Sequence, residues 1–103
     1  MYSHSVHCQT IPEHADAFAA QLALASTVYA KEPGTLAWIV QRSTEDACSF
    51  LISEIYASEQ DHAVHQTNPF FAKFMATCKP WLAAYKVETY TGIEGAVNPS
   101  RAA

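Results

Sequence analysis

Alternation of polar and apolar residues at the start of the chain predicts a first β-strand. From Tyr2 to Cys8, every second residue falls on one face, which carries Tyr2, His4, Val6 and Cys8. A period of two is the pattern of a strand with one face buried. We therefore expect His4 to lie on the same side of this strand as Val6.

A long amphipathic helix is predicted next. Thr10, Pro12 and Glu13 have the spacing of a capping box with a proline in the first turn, so we expect Thr10 to be the N-cap. The sequence Glu32-Pro33-Gly34 ends this helix. Its apolar residues recur at spacings of four and three and form one stripe, which contains Ile11, Ala15, Phe18, Leu22, Ala25 and Tyr29.

Two strands joined by a polar turn are predicted in the middle of the chain. They run from Thr35 to Arg42 and from Cys48 to Tyr56, and the sequence Ser43-Thr44-Glu45-Asp46 separates them. This pattern favours an antiparallel hairpin. Within it, one face of the first strand carries Leu36, Trp38 and Val40, and one face of the second carries Phe50, Ile52, Glu54 and Tyr56.

Two further helices and a last strand complete the pattern. Ser58 is placed to cap a short helix, and Asn68-Pro69 has the N-cap and N1 signature of another. Lys79-Pro80 ends that helix, and the last strand is predicted from Tyr85 to Thr91. We expect one folded domain over residues 1–92 and a C-terminal tail over residues 93–103.

The order of these elements is β-α-β-β-α-β, which predicts an α+β, ferredoxin-like fold with helices on one face of a four-stranded antiparallel sheet. The second face of the middle hairpin is also apolar, since it carries Ala37, Ile39, Leu51 and Ile55. Strands that are apolar on both faces are buried on both faces. We therefore expect a homodimer in which a second sheet covers this face.

Composition limits the classes of partner. Of 103 residues, 16% are charged, and the formal net charge is −4. This acidic balance, without a cluster of Lys and Arg, argues against nucleic-acid binding. No apolar run approaches the ~20 residues of a membrane span. Cys8, Cys48 and Cys78 lack a C-x-x-C spacing and no signal-peptide pattern precedes them, so we expect reduced thiols in a cytoplasmic protein.

Glu54 and His65 are the strongest candidates for catalytic residues. Glu54 lies near the end of a strand, and His65 follows 11 residues later on the next helix. The two side chains can therefore meet over an apolar floor. A neutral imidazole can act as a general base, with Glu54 orienting it. The alternative is structural, with His65 tying the helix to the sheet through a hydrogen bond to Glu54, and the two roles can coexist.

Other histidines and several aromatic residues are weaker candidates. His62 precedes His65 by one helical turn, but without an H-E-x-x-H motif or a clear third ligand we expect no metal site and an exposed His62. His4 is either a pocket residue or an ordinary strand histidine. The aromatic residues that either wall a substrate pocket or form plain core are Trp38, Tyr56, Phe70, Phe74 and Trp81.

Three segments occur in an informative order: Glu32 to Trp38, Phe50 to Tyr56, and His65 leading to Asn68-Pro69-Phe70-Phe71. Together they resemble the antibiotic biosynthesis monooxygenase family of dimeric α/β barrels, over about Met1 to Thr91. The resemblance implies a homodimer with one pocket per subunit, between the sheet and the helices. It also implies oxidation of a small aromatic quinol or phenol by O₂ with no metal, flavin or haem cofactor.

Some members of the resembling family degrade haem, and this chain departs from their pattern. Met75 stands where those proteins have an axial histidine, and His65 stands where they have a tryptophan. The first strand offers His4 and no asparagine. We therefore expect quinol-type oxidation ahead of haem binding or degradation. The alternative function is that of a non-catalytic or stress-related dimer that holds a small molecule in the same pocket.

Overall fold

A computed structural model describes residues 1–92 and Gly95 and contains one sheet with helices on one side. Short 3₁₀ turns at Pro12–His14 and Lys79–Trp81 precede α1 and β4. The predicted tail at 93–103 lies outside the described residues, apart from Gly95. The elements confirm the predicted order: β1 (Tyr2–Thr10), α1 (Ala15–Tyr29), β2 (Thr35–Arg42), β3 (Ser49–Tyr56), α2 (Glu59–Gln66), α3 (Pro69–Cys78) and β4 (Leu82–Thr91).

The sheet is antiparallel throughout, with the strand order β2-β3-β1-β4. In its register, Glu54 of β3 lies between Trp38 of β2 and His4 of β1. Side chains alternate between the two faces along a strand, and residues directly opposite each other share a face. Trp38, Glu54 and His4 therefore form one row across the face that the helices cover.

The apolar stripe predicted for α1 forms one side of the core. Phe18 meets Phe50 of β3 edge to face, with 5.0 Å between the ring centroids. Burying one large apolar side chain contributes about 1.5–3 kcal/mol, so the stripe fixes α1 over the sheet. The stripe residues that are buried are Ala15, Phe18, Leu22, Ala25 and Tyr29, and α3 adds Phe74 and Cys78.

The predicted capping box at Thr10 is wrong. Thr10 is the last residue of β1, and its N–H donates to the carbonyl oxygen of Cys48 at 2.9 Å. Ile11 is instead the N-cap of the 3₁₀ turn, without a side-chain hydrogen bond. The pairing of β1 thus continues to Thr10, the residue that the local sequence pattern predicts as the start of the helix. Pro12 does occupy the first turn, as expected.

Two features of the outer strands also differ from expectation. The pairing of β2 with β3 is irregular between Thr35 and Ala37, and Leu36 at this irregularity is 60% exposed instead of packing beside Trp38. The last strand begins at Leu82, three residues before the predicted start. The exposure of Leu36 and the start of the last strand are both set by pairing with a neighbouring strand, which the pattern within one strand does not determine.

The two short helices begin where the sequence predicts. Ser58 Oγ accepts a hydrogen bond from the N–H of Asp61 at 3.2 Å, and Asn68 Oδ1 accepts one from the N–H of Phe70 at 3.0 Å. These caps satisfy donors that the first turn of a helix leaves free. Among residues 1–92 and Gly95, no helix is both long and apolar enough to cross a bilayer.

The sheet face opposite the helices carries exposed apolar side chains. Ile39 and Tyr90 on this face are 52% and 49% exposed, and Leu51 and Ile55 are half-buried. The register sets these four residues on the side opposite His4 and Glu54. We call Ile39, Leu51, Ile55 and Tyr90 the back face.

Candidate functional site

A cavity of about 170 Å³ lies between the sheet and the helices. An apolar cavity of about 150 Å³ holds one benzene molecule, so this one has room for a single aromatic ring. Most of its wall is apolar. Lining residues that matter below are His4, Tyr29, Trp38, Glu54, His62 and His65.

The structure brings some of the predicted substrate-binding residues to the cavity and others elsewhere. Trp38, Phe74 and His4 line it. In the first turn of α3, Phe71 also lines the cavity, while the neighbouring Phe70 packs against Tyr29 and Phe74. Trp81 stacks on His14 at 5.2 Å between ring centroids, and Tyr56 is fully buried behind the lining.

His65 is buried, and its hydrogen-bond partner is Glu32. Its Nδ1 lies 2.8 Å from Glu32 Oε1, and the side chains are 3% and 12% exposed. The predicted hydrogen bond between His65 and Glu54 is therefore wrong. Glu54 lies on the sheet, whereas the loop after α1 carries Glu32 to α2. With Nδ1 held by a carboxylate, Nε2 is the ring nitrogen left to act on a ligand.

Glu32 is held as a carboxylate by three donors. Burial by itself would raise the pKa of Glu32, but hydrogen bonds from His65, Asn68 and Thr35 outweigh it and lower that pKa. The amide of Asn68 donates to Oε2 at 3.0 Å, and the hydroxyl of Thr35 donates to Oε1 at 2.8 Å. A charged Glu32 favours the tautomer of His65 in which Nδ1 carries the proton.

Glu54 is also buried but lies in a different neighbourhood. It is 9% exposed, and Oε1 accepts a hydrogen bond from the hydroxyl of Tyr56 at 2.5 Å. Burial, followed by the negative charge of Glu54, raises the pKa of Tyr56, so its hydroxyl stays protonated and remains a donor. Tyr56 thus does not line the cavity itself but forms a hydrogen bond with Glu54, which does.

His62 is not the exposed surface residue that the sequence predicts. It is half-buried, and its ring lies 4.2 Å from that of His4 and 5.0 Å from that of Tyr56, between centroids. Burial lowers the pKa of His62, and the nearby His4 and His65 lower it further. No third ligand joins the pair of His62 and His65 among the described residues, but a different set comes together: candidate ligand atoms of His4, Glu54 and His62 lie within 4.8 Å of one another.

Two buried donors at the cavity have no hydrogen-bond partner among the described residues. They are Tyr29 Oη and Trp38 Nε1, and the two rings meet edge to face at 4.8 Å between centroids. Burial, and then the charges of Glu32 and Glu54, raise the pKa of Tyr29, so its hydroxyl stays protonated. A buried donor left unpaired costs about 1–3 kcal/mol, which a ligand oxygen would offset.

Sequence reasoning missed Glu32 and Tyr29 as site residues. Glu32 stands in the Glu32-Pro33-Gly34 motif, which predicts the end of a helix and does not by itself mark a site residue. Tyr29 sits on the apolar stripe of α1, and nothing in that pattern separates it from core. Cys8 and Cys78 are buried free thiols whose pKa values burial raises to about 11, so neither is activated as a nucleophile.

Comparisons with known proteins agree with this fold. The family model described as antibiotic biosynthesis monooxygenase matches residues 1–77. A solved structure from Nitrosomonas europaea, provisionally assigned as such a monooxygenase, is 23% identical, with a TM-score of 0.87 over 91% of this chain and 100% of that chain. One from Deinococcus radiodurans, assigned in the same way, is 20% identical, with a TM-score of 0.84 over 95% and 97%.

A protein from Mycobacterium tuberculosis is similar to the same degree. It is 18% identical, with a TM-score of 0.86, over 93% of this chain and 98% of that chain. No curated protein sequence matches this chain. At such identities, the structural likeness shows the fold alone.

Proposed function

This chain belongs to the antibiotic biosynthesis monooxygenase family, and we propose that it oxidises a small aromatic quinol or phenol with O₂. The observation that carries the proposal is the contact between the buried His65 and Glu32 at the wall of a cavity with room for one aromatic ring. The proposed reaction needs a base beside an apolar cavity, and His65 is the candidate for that base.

The cavity wall suits a phenolic substrate. Trp38 and Phe74 offer apolar surface for a ring, and flat apolar ligands are held by such walls. The unpaired donors of Tyr29 and Trp38 would satisfy the oxygen atoms of a hydroquinone. Tyr29 and His65 lie 4.2 Å apart between ring centroids, so a phenolic oxygen bound near one is within reach of the other.

His65 is proposed as the general base. Nδ1–H of His65 donates a hydrogen bond to Glu32, which leaves a lone pair on Nε2 for the substrate hydroxyl. When Nε2 takes that proton, the imidazolium that forms is stabilised by the adjacent carboxylate of Glu32. Glu54, predicted to orient the imidazole, makes its described hydrogen bond with Tyr56 instead, so the orienting role passes to Glu32.

The substrate supplies the electrons in the proposed reaction. Removal of its proton gives an electron-rich phenolate that can reduce O₂. For a hydroquinone, C₆H₆O₂ and O₂ give the hydroxyquinone C₆H₄O₃ and water, so one oxygen atom enters the ring and the other leaves as water. Oxidation of the ring balances the four electrons taken up by O₂, so the reaction draws none from a metal, flavin or haem.

A homodimer is part of the proposal. The back face carries Ile39 and Tyr90, each about half exposed, and an exposed apolar patch of this kind marks an interface. A second copy of the chain, with the same face, would cover it in an arrangement related by a two-fold axis. The cytoplasmic location expected from the reduced cysteines stays a proposal of the same kind.

Oxygen uptake tests the proposed chemistry. Chelator-treated protein should consume O₂ when a hydroquinone is added in metal-free buffer. Replacing His65 by Ala should lower the rate by about 100-fold or more, because a positioned general base contributes about 10²–10⁴-fold. Unchanged activity in His65→Ala would refute the role of His65.

Two further variants separate chemistry from folding. His65→Asn keeps a side-chain N–H for Glu32 but has no basic nitrogen, so it should fold and remain inactive. His14→Ala removes a histidine that stacks on Trp81 and should retain activity. Tight binding of the hydroquinone without any oxygen uptake would favour the non-catalytic binding protein instead.

A further inference from the structure

We propose that His4, Glu54 and His62 form a binding site for one divalent transition-metal ion of the Zn²⁺, Co²⁺ or Fe²⁺ class. The three residues come from β1, β3 and α2, and their candidate ligand atoms lie within 4.8 Å of one another. This inference goes beyond the proposed oxidation, because it concerns different residues from the His65–Glu32 pair.

The donor set has the chemistry that such ions prefer. Two imidazoles and one carboxylate are a recurrent ligand set for Zn²⁺ and for non-haem Fe²⁺, with coordination positions left open. Metal–ligand bonds of about 2.0–2.2 Å place ligand atoms roughly 3–3.5 Å apart. Rotation of the half-buried His4 and His62 side chains can supply the closure of roughly an ångström that this requires.

Glu54 has no lysine or arginine partner within the described part of the chain. It is 9% exposed, and among the described residues it forms no salt bridge with lysine or arginine. A carboxylate removed from water is costly unless its charge is compensated. Besides the neutral hydroxyl of Tyr56, His4 and His62 approach Glu54, and a metal ion held between these histidines and Glu54 would provide the missing positive charge.

Neighbouring hydroxyl groups already orient two of the three ligands. Tyr56 donates to Oε1 of Glu54 at 2.5 Å, which leaves Oε2 for a metal. Tyr2 Oη lies 3.3 Å from Nε2 of His4. Hydrogen bonds to ligating residues fix their orientation and tune their affinity for metal, so these two contacts would help to hold Glu54 and His4 in place.

Cobalt binding by the full chain, purified without a histidine tag, tests the site. Titration with Co²⁺ in the absence of substrate should give a visible absorption band that saturates at one ion per chain. Zn²⁺ should displace the Co²⁺, as seen by loss of the band and by calorimetry. The readout involves no turnover, so its result is independent of whether the proposed oxidation occurs.

Matched variants locate the ion. His4→Ala, His62→Ala and Glu54→Gln should each weaken Co²⁺ binding by about 100-fold, since even an orienting residue is worth about 10–100-fold. Glu54→Gln still offers an oxygen to Tyr56, which favours a folded variant. His7→Ala is the control, because His7 lies on the opposite face of the same strand in an exposed pair with Glu88.

Each outcome decides the proposal. Saturable binding that is lost in the three ligand variants and kept in His7→Ala supports it. Absence of one-to-one binding overturns it, and so does equal affinity in His4→Ala and the unmodified chain. Circular dichroism and thermal unfolding of each variant establish that lost binding reflects a lost ligand and not an unfolded chain.

Discussion

Glu32 lies within one hydrogen bond of His65, with 2.8 Å between Oε1 and Nδ1. His65 is buried and the side chain of Glu32 is only 12% exposed, so the contact is largely shielded from water. Asn68 and Thr35 hold the carboxylate from its other sides. A few atoms therefore fix the partner of Nδ1 and leave Nε2 as the ring nitrogen proposed to act as the base.

Glu32→Gln should make the free energy of unfolding less dependent on pH in the acidic range. The pKa of Glu32 is lowered from its ordinary value of 4.5 in the folded state. The stability that the charged Glu32 contributes is therefore present above about pH 4.5. It is lost as the pH falls through the lower pKa that Glu32 has in the folded state. The variant should be less stable by about 2 kcal/mol near neutral pH, and the difference should shrink below about pH 4.

Urea unfolding of both proteins across that pH range checks this expectation. Thr35→Val is a useful control, since it removes one donor to Glu32 but keeps the carboxylate, so its acid dependence should persist. A constant difference between Glu32→Gln and the unmodified chain at every pH would contradict the assignment.

Tyr29→Phe and Tyr56→Phe should have opposite effects on stability. Tyr29 Oη is buried without a partner among the described residues, so its removal should leave the melting temperature unchanged or raise it. Tyr56 donates to Glu54, so Tyr56→Phe should cost about 1.5–3 kcal/mol, the value of a hydrogen bond to a charged group.

Tyr29→Phe and Tyr56→Phe should also differ in their effect on ligand binding. If Tyr29 donates to the substrate, Tyr29→Phe should weaken hydroquinone binding by about tenfold, which corresponds to about 1.4 kcal/mol. Thermal unfolding and equilibrium binding measure the two effects separately. A Tyr29→Phe protein with a clearly lower melting temperature and unchanged affinity would refute the role given to this hydroxyl.

At the scale of elements, the loop between α1 and β2 positions the site. It carries Glu32 and then passes close to α2 at Gly34, where the carbonyl accepts a hydrogen bond from the N–H of Ala57 at 3.0 Å. A Cβ on Gly34 would lie 2.6 Å from Cβ of Asp61 and closer still to its carboxylate. Glycine is therefore what allows the loop to approach the helix that bears His65.

Gly34→Ala should destabilise the protein by about 1–3 kcal/mol, the usual cost of forcing atoms into a filled space. It should also lower oxygen uptake, because the loop would carry Glu32 away from His65. Pro33→Ala, at the exposed neighbouring position, is the control and should cost under about 1 kcal/mol. Denaturant unfolding with equal stabilities for the two variants would contradict the close-approach argument.

At the scale of the whole molecule, the two faces of the sheet have different roles. Its inner face carries Trp38, Glu54 and His4 under the helices. Its back face presents Ile39 and Tyr90 to the outside. Because side chains alternate along each strand, the same register that builds the cavity also builds the apolar surface proposed for dimer contact.

Ile39→Lys should convert a dimer into a monomer without unfolding the chain. Ile39 is 52% exposed in the single chain, so a charge there is tolerated by the fold but would be buried in the interface. Leu24→Lys is the control, since Leu24 is 50% exposed on α1 and lies away from the back face. Light scattering at micromolar concentration measures the mass, and a monomeric unmodified chain would refute the dimer.

The sequence determined the order of strands and helices, the buried stripe of α1 and the caps at Ser58 and Asn68. These features depend on periodicity and local hydrogen bonds, which a one-dimensional pattern carries. The sequence also pointed to His65. It misplaced the helix start near Thr10, because strand pairing overrode a local capping signal.

The partners of the histidines follow from packing in three dimensions. The choice of Glu32 over Glu54 depends on a loop brought close by the packing of α1 on the sheet. The meeting of His4, Glu54 and His62 depends on how β1 and β3 pair and on how α2 lies over them. Contacts between residues distant in sequence are set by strand register and helix packing, and no local spacing along the chain encodes them.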